Sequence, residues 1–106
     1  MHDDNRPLSQ IYAVAAEEWV DKEAAADLLE NMKSVVMAQK QAQLGDIPVN
    51  RAEQMVKASH DWQDYVQSVA DARKAANLAK VKLEELRMRY GEWNNAEANH
   101  RAEMKL

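Results

Sequence analysis

Cysteine and phenylalanine are absent from this chain of 106 residues, and glycine and proline occur only twice each. Without cysteine there is no disulfide framework, no thiolate zinc site and no cysteine nucleophile. So few turn formers exclude a sandwich, a barrel or a fold rich in β-hairpins. No apolar run exceeds a few residues, so no membrane span is expected, and no signal peptide precedes the first charges. The expected location is therefore the cytoplasm. A net charge of −4 argues against a dedicated duplex-DNA binder, while leaving room for a local basic stripe.

What remains is rich in helix formers. The hydrophobic fraction is 46% and the length suits one small domain with a single core. Residues 1–7 are polar and without period, and a flexible arm is expected over 1–8. Ser9 stands where an N-cap belongs. From there to Leu44 no Gly or Pro intervenes, and Ala, Leu, Glu, Met, Gln and Lys dominate. Apolar residues at Leu8, Ile11, Tyr12, Ala15 and Trp19, then Ala25, Leu28, Leu29, Met32, Val35 and Val36, follow helical steps of three and four. The stripe changes phase near Asp21-Lys22-Glu23, where a kink is expected.

The strongest punctuation is Leu44-Gly45-Asp46-Ile47-Pro48-Val49-Asn50. Gly45 can take the left-handed conformation that closes a helix, and Pro48 cannot continue one. Asn50 and Glu53 have capping-box spacing. A turn over 45–50 thus separates helices 9–44 and 51–106. The second stripe runs Met55, Ser59, Trp62, Val66, Val69, Ala72, Ala76, Ala79, Leu83, Leu86, Tyr90, Trp93, and only Gly91 interrupts the helix formers. Its alanine-rich middle permits close approach of another backbone.

The pattern predicts an all-α fold, a long antiparallel, coiled-coil-like hairpin whose second helix is the longer. At ~1.5 Å per residue the helices reach about 54 and about 84 Å. Ala24–Ala26 should face Ser68–Ala72, Leu8 should lie near Leu86, and everything after Arg87 should overhang by close to ~30 Å. Two helices leave Trp19, Trp62 and Trp93 each with an open side. A homodimer forming a four-helix bundle would supply the missing layer, with Trp62, Leu83, Leu86, Tyr90, Trp93 and Met104 as the dimerisation or partner-binding residues.

Charge is uneven. Residues 1–30 carry eight acids and two bases, and residues 73–89 carry six bases and two acids. Arg73, Lys80, Lys82, Arg87 and Arg89 are therefore candidate contacts to nucleic-acid phosphate. The preferred reading lays the acidic helix against the basic one, so that ion pairs fix the antiparallel arrangement. Glu97-Ala98-Asn99-His100 matches the Glu-x-x-His ligand pair of di-iron bundles, but the first helix should end before reaching that level, so no metal is expected. His60 and Asp64 lack further ligands. No Ser-His-Asp set, phosphate loop or buried carboxylate pair is present, and a rod offers few concave pockets, so neither catalysis nor a cofactor is expected. The six methionines suit adaptable packing.

Val56-Lys57-Ala58-Ser59, Trp62, Tyr65, Ala72-Arg73-Lys74-Ala75-Ala76-Asn77, Lys80-Val81-Lys82 and Leu86-Arg87-Met88-Arg89 form one group of recognisable strings. Glu97-Ala98 and Arg101-Ala102-Glu103-Met104-Lys105-Leu106 continue it, and Ile11 to Trp19 adds a match in the first helix. In these the chain resembles small helical proteins of unassigned role encoded by tailed bacteriophages and prophages of Gram-negative bacteria. The resemblance implies a non-enzymatic accessory protein in the bacterial host cytoplasm. Such proteins tend to be encoded among early phage genes for recombination and DNA metabolism. The long unmatched C-terminal segment and the acidic surface then point to binding of a host or phage protein, as a modulator or inhibitor of a DNA-metabolism or defence complex. The alternative is a single-stranded nucleic-acid-binding recombination or replication factor. The family pattern supplies no catalytic residue.

Overall fold

The computed structural model describes residues 6–104. Four helices follow in order: α1 (Leu8–Asn31), α2 (Lys33–Gln43), α3 (Val49–Lys57) and α4 (His60–Met104). No strand occurs among the described residues. α1 runs antiparallel along α4, and α2 and α3 double back on each other at the end where α4 begins. The result is a rod of 83 × 23 × 17 Å. The all-helical hairpin with a longer final helix is thus present.

Both helical arms are divided where the sequence predicted continuity. Asp21-Lys22-Glu23 lies inside unbroken α1, and the break falls at Met32, whose ψ of −4° redirects the chain into α2. The phase change marks Glu23 as a charged residue at the edge of the packed face, engaged by Arg73, and not an interrupted helix. The second arm breaks at Ala58-Ser59. The Ser59 hydroxyl donates to the Val56 carbonyl (2.6 Å) and its Oγ accepts the Trp62 N–H (3.3 Å). Ser59 therefore closes α3 and caps α4, where a stripe position was expected.

Capping at the other two starts also differs. α1 and α3 follow Pro7 and Pro48, with no side-chain cap at either, so Ser9 is not an N-cap and Asn50–Glu53 forms no capping box. The proline ring holds φ near −55° while ψ stays extended, so the proline carbonyl accepts the first helical bond directly. The bonds are Ile11 N–H to Pro7 and Ala52 N–H to Pro48. The turn begins as expected, Gly45 having φ +80° after the end of α2, but it is shorter than the predicted 45–50, because Val49 and Asn50 already belong to α3. α4 passes through Gly91 without a break. Of the predicted arm, residues 1–5 lie outside the described residues and Leu8 already belongs to α1. Residues 105–106, assigned to the second helix, also lie outside them.

The core is made mainly of alanine. Ala15, Ala26, Ala52, Ala76 and Ala79 are buried together with Val56 and Trp62. Trp62, 6% exposed, is the one large buried side chain among the described residues, at the corner where α3 meets α4. Along α4 the seam toward α1 follows alternating steps of three and four: Trp62, Tyr65, Val69, Ala72, Ala76, Ala79, Leu83, Leu86, Tyr90, Trp93. That is coiled-coil spacing. Met55 and Val66 fall outside it and are exposed, as are Tyr90 and Trp93 at the thin end of the seam. Of the residues expected to meet small against small, Ala26 is buried and Ala72 half-buried, while Ala24, Ala25 and Ser68 are exposed.

The register is shifted from the predicted one. Ser9 shares a hollow with Tyr90, and Pro7 and Leu8 lie beside Tyr90 and Trp93. The α2–α3 corner consumes more chain than a simple turn, which slides α1 further along α4. α4 therefore outruns its partner only over residues 94–104, about 16 Å at ~1.5 Å per residue.

Candidate interaction surface

One arginine organises the middle of the rod. Arg73 Nε donates to Glu30 (2.8 Å), Nη1 to Glu23 (2.9 Å), and Nη2 to both Asp27 (2.6 Å) and Glu30 (2.8 Å). The acids recur every three or four residues, so all three stand on one edge of α1 facing a single planar fork. The bonds from Arg73 hold the Glu30 carboxyl below the ordinary glutamate value, and the three acids push the guanidinium pKa up. On another flank Glu18 accepts from Lys22 (3.0 Å) and meets Lys82 (4.0 Å). Its pKa is lowered, first by the Lys22 bond. The acidic helix does lie against the basic one.

This pairing occupies most of the proposed phosphate stripe. Arg73 is held by three carboxylates, Lys82 stands by Glu18, and Arg89 bonds Glu85 (2.6 Å). Lys80 and Arg87 line a hollow of about 240 Å³ with Tyr12, Trp19, Leu83 and Glu84. The Trp19 indole Nε1 is buried without a hydrogen-bond partner.

The candidate partner-binding residues divide in the same way. Trp62 is inside the chain's own core, and Leu83 and Leu86 are half-buried under α1. Tyr90, Trp93 and Met104 are exposed, Trp93 by 55% and Met104 by 74%. Tyr90 and Trp93 stack one helical turn apart, ring centroids 6.3 Å apart and tilted by 39°. Beside them lie a hollow of about 200 Å³ (Ser9, Tyr12, Arg87, Tyr90) and one of about 420 Å³ reaching Pro7, Leu8 and Trp93. Aromatic surface thus gathers where α1 begins and where, among the described residues, α4 alone continues. Sequence periodicity identified these side chains, but not the ending of α1 beside them.

Glu97 and His100 stand on the exposed final turns of α4. No group of three or more potential metal ligands occurs among the described residues. Among the described residues no helix is long and apolar enough to cross a membrane.

No family model matches this chain, and neither a curated protein nor a solved structure matches it. The geometry defines an elongated, all-helical hairpin with an aromatic end.

Proposed function

We propose that the chain is a non-enzymatic protein-interaction module that engages its partner at the far end of the rod, through Tyr90, Trp93 and the free turns of α4. The carrying observation is that large, rigid aromatic side chains are exposed together beside apolar hollows at the point where α1 runs out. Aromatic residues of this kind supply much contact area at little entropic cost. Elsewhere exposed apolar residues are interspersed with charges, as on any soluble helix. Self-association belongs to this reading, whether as a four-helix bundle or at the end of the rod. A role in the bacterial cytoplasm on a host or phage DNA-metabolism or defence complex is part of the proposal, and its support is the sequence resemblance.

Single-stranded nucleic-acid binding is the weaker alternative, because Arg73, Lys82 and Arg89 already have carboxylate partners. A photo-cross-linking residue at position 93, compared with one at position 81 on the shaft, tests the leading proposal in cells producing the protein. A discrete protein adduct from 93 and none from 81 is expected. No adduct from 93 overturns it.

A further inference from the structure

The face of α4 that α1 covers continues beyond the start of α1. Its alternating steps of three and four continue from Tyr90 and Trp93 to Glu97, His100 and Met104, inside one unbroken helix. Within the stretch paired with α1, every seam residue is apolar or aromatic. Beyond it, two adjacent seam positions carry an acid and a histidine. All of residues 94–104 are exposed. Exposed Trp93 and Met104 thus flank Glu97 and His100 on the face that α1 covers lower down, and polar residues at seam positions are a known means of fixing orientation and register.

We propose that a second copy of the chain occupies this seam, antiparallel and end to end, so that Glu97 of each copy pairs with His100 of the other and Trp93 packs on Met104 of the other. This deepens the interaction reading above and rests on it. The arrangement is self-complementary under a twofold axis, as a homodimer contact must be: each residue of the stretch meets the one that closes the pair from the opposite end. The second copy runs along α4 in the same direction as α1 does, taking over the seam where α1 ends beside Trp93. Flanking residues are compatible, with Arg101 against Asn94 and Glu103 against the small Ala96. A parallel pair would set Glu97 on Glu97 and His100 on His100, stacking like groups in adjacent layers. The overlap spans about 16 Å of helix, well below a standard interface, so the dimer is concentration-dependent.

Light scattering on the purified full chain tests this. The mass should climb from one chain toward two as concentration rises to the order of 1 mM. Glu97→Lys and His100→Glu should each return it to one chain, and Glu97→His combined with His100→Glu should restore two. All sites are exposed, so in dilute solution, where the chain is single, helicity and thermal midpoint should not change. Spin labels on Leu78→Cys, unique in a chain without cysteine, should lie about 60 Å apart in the end-to-end pair. A single chain at 1 mM, a dimer surviving both single substitutions, or labels within ~30 Å, as a side-by-side bundle or parallel pair would place them, each overturns the proposal. If position 93 then cross-links to a different protein, the broader interaction reading stands without the second copy. If it cross-links to nothing, both fall.

Discussion

The Tyr65 hydroxyl donates to the backbone carbonyl of Leu29 across the α1–α4 seam. Leu29 stands in the last turn of α1, where the helix ends at Asn31 and carbonyls run out of following N–H partners. Tyr65 thus satisfies a group that the break at Met32 leaves open, and it also stacks against Trp62 with ring centroids 5.5 Å apart. One side chain ties the bend in the first arm to the start of α4. Tyr65→Phe keeps the ring and removes the bond. It should cost about 1 kcal/mol, measured by urea denaturation, and speed amide exchange around residues 29–33.

Arg73 gives a second, independent handle. Arg73→Ala leaves Glu23, Asp27 and Glu30 close together without their cation, so the thermal midpoint should fall further than for Arg89→Ala, which breaks a single pair within one helix. Arg73→Lys should fall between them, because an ammonium keeps the charge but cannot fork to three acceptors.

That cluster and the separate Glu18 pair on the other flank set the response to acid. The Glu30 and Glu18 pKa values are depressed in the folded chain, so their contribution is complete above the ordinary glutamate value. It is lost as pH falls through the lowered values. Thermal midpoints should be level around neutrality and decline below about pH 4.3. The gap between wild type and Arg73→Ala should narrow over that interval. A constant gap would mean that Arg73 acts through packing alone.

Gly91 and Gly45 should respond in opposite directions to alanine. Gly91 is helical, and a Cβ there would meet nothing within 4 Å, so Gly91→Ala should stabilise α4 by roughly 0.5–1 kcal/mol. Gly45 has equal room but φ +80°, so Gly45→Ala should destabilise by about 1 kcal/mol. Thermal unfolding of the two variants checks both.

The helices, the Gly45 turn, the alanine-rich seam and the acid-against-base pairing were legible because each rests on local chemistry or on period. The two breaks were not. Met32 carries no breaker residue; its bend depends on what Tyr65 and α3 offer from distant parts of the chain. Ser59 did carry a local signal, a hydroxyl two residues before Asp61 in the first turn of α4, but an uninterrupted run of helix formers masked it. Register failed for the same reason: distance along the chain was counted through a simple turn, while α3 forms its own segment. Of the exposed end, periodicity found Tyr90, Trp93 and Met104, but their freedom depends on where α1 begins.

Because Ala26 and Ala76 are wholly enclosed, the gap between the two long helices is set by methyl groups. With so thin a spacer, a rod 83 Å long would answer a change there like a pair of tongs. Ala76→Leu would act as a wedge near the fulcrum, and the splay it imposes would grow toward the tips. The aromatic end would then lose its shape although no residue in it had been changed.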